Sequence, residues 1–184
     1  MSGWQLPREA CIGGRTYRLR TDYRNILEIF TWLQDETKPE FFRWYVALAM
    51  FFEEEIPDAD FREAAEYFRW FVCCGQQEEP EPGPVLIDWE QDAQVIVADI
   101  NKAAGQEIRE LPELHWWTFL GWFHSIGEGG LSTLVSIRDK LNRGKKLEPW
   151  EQAYCRRNQA LVKMRKKYSA SELAERERLE KLLA

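Results

Sequence analysis

The sequence predicts a mainly α protein: an N-terminal β-hairpin followed by a helical bundle, with two helical halves joined by a Pro/Glu-rich linker. Three observations carry this. Apolar residues recur at helical spacing in one segment after another, whereas period-two alternation occurs only around Gly13-Gly14. Residues 76–84 (QQEEPEPGP) hold three Pro and three Glu and cannot build a packed element. The apolar fraction is 45% and the charged fraction 30% over 184 residues, enough for one core or two small ones. The expected division is a hairpin plus three helices over 1–75, a linker over 76–87, a second helical domain over 88–168, and a charged helical tail over 169–184.

The first element is the hairpin. Residues 10–12 and 16–19 flank Gly-Gly, and a type I′ turn needs positive φ at both central residues. Thr16, Arg18 and Arg20 should face one way, and Tyr17 and Leu19 the other. An isolated hairpin is marginal, so it should lie against a helix.

Thr21 or Asp22 can cap the first helix. Tyr23, Ile26, Leu27, Phe30 and Leu33 give it an i, i+3, i+4, i+7 stripe, with Arg24, Glu28 and Asp35 outside. Pro39 opens a strongly apolar second helix over 40–54. Pro57 breaks it, and a third helix over 60–74 buries Phe61, Ala64, Ala65, Phe68, Phe71 and Val72 before Gly75 ends it.

Beyond the linker, Asp88 caps a helix with Gln91 as capping-box partner, and Trp89, Ala93, Ile96, Val97 and Ile100 line its inner face up to Gly105. Pro112 opens the most apolar stretch, 113–126 (ELHWWTFLGWFHSI), which contains three Trp, two Phe and both His of the chain. A surface helix normally shows an apolar stripe of about 100°. This one is apolar nearly all round, so it is central to a core or covered by a partner. Helical phase assigns Trp116 and Phe119 to the core of the second half and leaves Trp117 or Trp122 for a partner. Gly127, Gly129 and Gly130 read as a hinge, followed by a helix over 131–141. Pro149 opens a last helix over 150–168, with Ala153, Tyr154, Arg157, Leu161 and Met164 on one side. Residues 173–183 form a charged helical stretch with few apolar positions.

Charge is unevenly spread. Residues 143–184 carry 12 Lys/Arg against 6 Asp/Glu, and residues 1–142 carry 13 against 25, so a basic tail follows an acidic body. That pattern favours charge-guided assembly with another protein or another copy of the chain, while the acidic body would repel nucleic acid. Arg156, Arg157, Lys163, Lys166 and Lys167 are the expected self-association residues. The four Cys form no CxxC pair, and the opening residues lack the apolar core of a signal peptide, so reduced thiols in a cytosol are expected. No apolar run approaches the roughly 20 residues of a membrane span.

The search for chemistry yields no site. His115 and His124 lack a carboxylate at metal-ligand spacing. Asp88, Glu90 and Asp92 sit at a helix start, where acidic residues suit the dipole. The Gly127–Gly130 stretch is followed by Leu and Ser rather than the Lys of a phosphate loop. No Gly-x-Ser-x-Gly elbow occurs. Cys155 lies beside Arg156 and Arg157 with no base near it in sequence. The expectation is no enzyme, no metal and no cofactor.

Two groups of residues carry a resemblance. The hairpin leading into Tyr23-Arg24-x-Ile26-Leu27 resembles small tail-assembly chaperones of long-tailed bacteriophages. Asp88-Trp89-Glu90-Gln91-Asp92-Ala93, Ile96, and then Leu114-His115-Trp116-Trp117-x-Phe119, with Ile137-Arg138 and the basic residues over 163–167, resemble the phage family Gp15, found in prophage tail modules. The resemblance spans most of 8–168. It implies a non-enzymatic accessory protein in the host bacterial cytoplasm that binds the tape-measure protein, recruits tail-tube subunits and self-associates, a step from family to role that rests on analogy. The apolar anchors expected for such binding are Trp116, Trp117, Trp122, Phe41, Phe42 and Phe52, some of which must be ordinary core. The alternatives are a nucleic-acid-binding accessory protein using 156–167 and a structural tail component.

Overall fold

A computed structural model describes residues 4–76 and 83–165. The charged tail over 169–184, Lys166, Lys167 and residues 77–82 of the Pro/Glu-rich linker lie outside them. Among the described residues the protein is mainly α, with a two-stranded antiparallel hairpin at the N-terminus and eight helices. The chain divides into two compact units. Of the described residues, unit 1 comprises 4–76 together with Glu113–Trp117, and unit 2 comprises 83–112 and 118–165.

In unit 1, strands β1 (Glu9–Ile12) and β2 (Arg15–Arg18) pair in register from Glu9 opposite Arg18 to Ile12 opposite Arg15. Gly13 and Gly14 take φ of 56° and 77°, the left-handed pair that the two-residue turn requires. A Cβ on Gly13 would lie 2.5 Å from the Asp60 carboxylate, so the turn needs glycine there for space as well. Ala10, Ile12, Tyr17 and Leu19 point inward, and Arg18 and Arg20 point out.

Asp22, not Thr21, caps α1 (Tyr23–Leu33) by accepting the Arg24 N–H. The buried face of α1 is Tyr23, Ile26 and Ile29, while Leu27, Phe30 and Leu33 are only half-buried, so the stripe expected from sequence is rotated by about one position. Helix α2 (Glu40–Phe51) stops three residues before the expected end. Leu19 bridges Phe52, with Arg20 N–H donating to Phe51 O and Glu53 N–H to Arg18 O, so the chain leaves the helix to lie beside β2. The Arg20 guanidinium then donates to the carbonyls of Ala49, Met50, Phe52 and Glu53, satisfying the helix end. Helix α3 (Phe61–Val72) buries Ala64, Ala65, Phe68 and Phe71 as expected, while Phe61 and Val72, expected with them, are half-buried. The core of unit 1 is aromatic: Phe51 packs on Phe52, Phe68 and Phe71 with centroids 4.9–5.0 Å apart.

The segment Glu113–Trp117 completes this unit. Tyr23 N–H donates to Leu114 O, Leu114 N–H to Asp22 Oδ2, and Trp116 N–H to Thr21 O. The indole N–H groups of Trp116 and Trp117 donate to Val72 O and Phe71 O at the end of α3, where Phe71 O also accepts the Cys74 N–H.

In unit 2, the Asp88 side chain accepts from Glu90 and Gln91 N–H, but it closes a turn that precedes the helix, and α4 (Ala93–Ala104) begins after it. Gln91 is not a capping-box partner: its amide reaches the carbonyls of Ala160, Leu161 and Lys163. Gly105 ends α4 in the left-handed region. Helix α5 (Trp116–His124) starts with the two unit 1 tryptophans and runs on through unit 2 residues, where Phe119 is buried and Trp89 packs on Phe119 and Phe123. Helix α6 (Gly130–Asn142) starts against α4, where Leu131 N–H donates to Asp99 Oδ2. A Cβ on Gly129 would meet that same carboxylate at 2.6 Å. Of the glycines expected to be a hinge, Gly129 and Gly130 therefore permit a close backbone approach to α4, whereas a Cβ on Gly127 would meet nothing within 4 Å.

The single last helix expected over 150–168 is broken. Helix α7 (Pro149–Arg157) ends at Asn158, and a short α8 (Gln159–Val162) follows before the chain turns extended at Lys163. Leu134, Ile137 and Val162 form a buried cluster with Leu147, Tyr154, Cys155 and Leu161 packed around it. At its side Arg138, buried, forks onto both oxygens of Asp92 at 2.6 and 2.8 Å.

Candidate protein-interaction surface

Helix α2 is apolar round most of its circumference, but only Ala47, Leu48 and Phe51 are buried. Its first turns stay uncovered. Phe41 is 67% exposed, and Phe42 and Tyr45 are 45% exposed each. Large aromatics at this exposure are rare on a folded surface unless they mark a contact site. They are held rather than loose: Phe41 stacks on Phe61 at 5.3 Å, and Phe42 meets Trp32 edge-on at 6.4 Å. Arg43, between them, donates to Leu33 O and fixes α2 against the end of α1.

Beside this face lies a groove of about 310 Å³, walled by Tyr45, Leu48, Ala49, Phe52, Ile56 and Phe61. Glu53, Glu54 and Glu55 line it too, all exposed. Among the described residues none of the three is in an ion pair, although Glu54 accepts the Arg18 N–H. The volume sits at the low end of the roughly 300–1,000 Å³ of small-molecule pockets. It suits one large side chain with a carboxylate fringe.

The residues expected to be anchors separate into classes. Phe41 and Phe42 are on the exposed face. Trp117 and Trp122 are half-buried. Phe52 and Trp116 are each 1% exposed, so both are core, and Trp116 serves unit 1 rather than the second half. Phe52 still contributes an edge to the groove. Arg156, Arg157 and Lys163 are exposed on α7 and just beyond α8, with no ion pair among the described residues.

Sequence reading missed the Glu53–Glu55 fringe and Trp150, which is 58% exposed in the first turn of α7. Each had a signal: three consecutive carboxylates directly after an apolar helix, and a tryptophan directly after the proline that starts one.

His115 is buried, with Nδ1 accepting the Trp117 N–H and Nε2 3.0 Å from Pro7 O. Because Nδ1 faces a donor, the proton sits on Nε2 and the ring is neutral. Burial, followed by the nearby Arg8 cation, holds its pKa below the ordinary 6.5 against the opposing pull of Pro7 O and Glu113. His124 is exposed. Burial, with Cys73 adding to it, pushes the Cys74 thiol up to about 11, so it is a poor nucleophile. Among the described residues no three His, Cys, Asp or Glu side chains converge as a metal site, and no helix is long and apolar enough to cross a membrane.

The family model described as Bacteriophage Gp15 protein matches residues 5–169. No curated protein and no solved structure shows significant similarity to the chain.

Proposed function

The chain belongs to the bacteriophage Gp15 protein family, and from that premise we propose that it is a tail-assembly chaperone that binds the tape-measure protein. Family membership makes it a bacteriophage structural or assembly protein. In the finer reading it works in the host cytoplasm by protein–protein contact alone, without cofactor, self-associates, and brings tail-tube subunits to the tape-measure protein before the tail is complete. The observation that carries this reading is the exposed aromatic face of α2, Phe41 and Phe42 with Tyr45. An amphipathic helix from a long helical client laid across such a face is an established mode of recognition, and aromatic anchors dominate contacts of that kind.

The test is co-purification with the tape-measure protein of the same tail module, followed by a titration. Phe41→Ala and Phe42→Ala should each weaken binding about tenfold, the effect of losing roughly 1.4 kcal/mol at an anchor. Wild-type protein that fails to capture the tape-measure protein would sink the reading. Mass spectrometry of finished particles separates it from the structural-component reading: a chaperone is absent from them, whereas a tail component is present in fixed stoichiometry.

A further inference from the structure

We propose that the groove beside α2 is the receiving half of a contact between two copies of the chain, and that α7 of the second copy fills it. Trp150 enters the groove and Arg157 meets the Glu53–Glu55 fringe. The idea deepens the self-association included in the reading above and rests on it.

Each half is present and complementary. The groove offers aromatic and aliphatic walls, room for one large side chain, and three exposed carboxylates without an ion pair among the described residues. The Arg20 guanidinium, which reaches Glu53 O, is spent on the backbone carbonyls at the end of α2. On α7, Trp150 stands exposed, and Arg157 lies seven residues further on. Seven residues are two helical turns, so both side chains project from one face about 10 Å apart. Lys145 and Lys146, exposed and likewise without an ion pair among the described residues, precede the helix, and Arg156 adds a fourth cation. The carboxylates of α7 offset this charge only in part: Glu151 is buried, paired with Lys140 at 2.6 Å, and accepts the Glu148 N–H, which leaves one exposed carboxylate, Glu148, against the four cations. A tryptophan ringed by cations and an aromatic pocket ringed by carboxylates match in both of the properties that govern such contacts, an anchor with its pocket and opposite charge.

The two patches are different surfaces of the same chain, so the contact can be made once per chain, building a head-to-tail ring or open array, or twice between the same two chains, building a two-fold dimer. An open array is the form that suits a protein covering a long partner.

Sedimentation velocity on the full chain tests this over a range of concentration and salt. Wild type should associate at low salt, and the assembly should dissociate at high salt. Trp150→Ala should weaken association at least tenfold. So should the pair Glu53→Lys with Glu55→Lys, and separately the pair Arg156→Glu with Arg157→Glu, with circular dichroism checking that each folds. Combining the two pairs in one chain swaps the charges on both sides and should restore association. A wild type that stays monomeric, a Trp150→Ala chain that associates normally, or a combined variant as monomeric as its parents would each overturn the inference. Capture of the tape-measure protein is scored separately. A monomer that still captures it sinks this contact alone, whereas an array that captures nothing sinks the chaperone reading alone.

Discussion

At His115, two hydrogen bonds fix a protonation state. Nδ1 must accept from Trp117, and Nε2–H must donate to Pro7, so a second proton has no place to bond. The folded pKa lies below 6.5, with Arg8 and Glu113, themselves paired at 2.7 Å, as the charges nearby. In the unfolded chain the ring returns to its ordinary value. The unfolded state therefore binds more protons as pH falls through 6.5, and stability contributed by neutral His115 is lost from there down to the folded pKa. Urea midpoints measured between pH 7.5 and 5 should fall for wild type, and His115→Asn should flatten that slope; an unchanged slope would refute the assignment. Sequence placed His115 correctly among packed residues because it lacks catalytic partners, but its acceptor is 108 positions away and no local pattern encodes it. The choice of Asp22 over Thr21 as cap is of the same kind. Both can cap, and Asp22 does so because its second oxygen also holds Leu114.

Among the elements, α4, α6 and α8 are tied by side chains rather than by periodicity. Arg138 on α6 forks onto Asp92 and also donates to Leu86, Leu161 and Val162 carbonyls, while Gln91 takes those of Ala160, Leu161 and Lys163. These donors draw the backbone after Asn158 off the helical path, which is why a pattern reading as one long helix is two short ones. A buried ion pair is weak evidence for stability by itself, but removing one partner strands the other. Arg138→Met should cost about 3–5 kcal/mol in chemical denaturation, and adding Asp92→Leu should recover part of it. If the single variant lost less than about 1 kcal/mol, the clasp would not be what holds α8. The helices themselves were legible: α3, α4 and α6 fall close to their apolar stripes, and the Gly13-Gly14 hairpin falls on its turn. Where α2 ends was not legible, because it depends on Leu19 bridging a residue 33 positions later.

For the whole molecule, the lesson lies in Glu113–Trp117. Sequence order puts this segment beyond the linker with the second half, whereas the fold gives it to unit 1, where its two indoles close the end of α3. Composition reveals a linker at 76–84, but nothing local shows that the chain returns to the first unit after it. A fragment ending at residue 76 should accordingly fail to fold, with dispersed amide signals appearing only when 113–117 is supplied. In the full chain, Trp116→Ala should cost about 3–5 kcal/mol, the usual loss for a fully buried Trp. A well-dispersed spectrum from the short fragment would show that the segment is dispensable. The exposed side of α2 was half-legible: Phe41 and Phe42 stood out as too apolar for a surface, but Phe52 looked alike and is core. During synthesis this arrangement sets a delay. The ribosome must add 41 residues after residue 76 before Trp117 exists. At about 5–20 residues per second that is roughly two to eight seconds in which the hairpin and first three helices are out or emerging but cannot lock. Through that interval nascent chains on one messenger sit side by side with α2 already made, so the first copy a growing chain can meet is its neighbour on the same polysome.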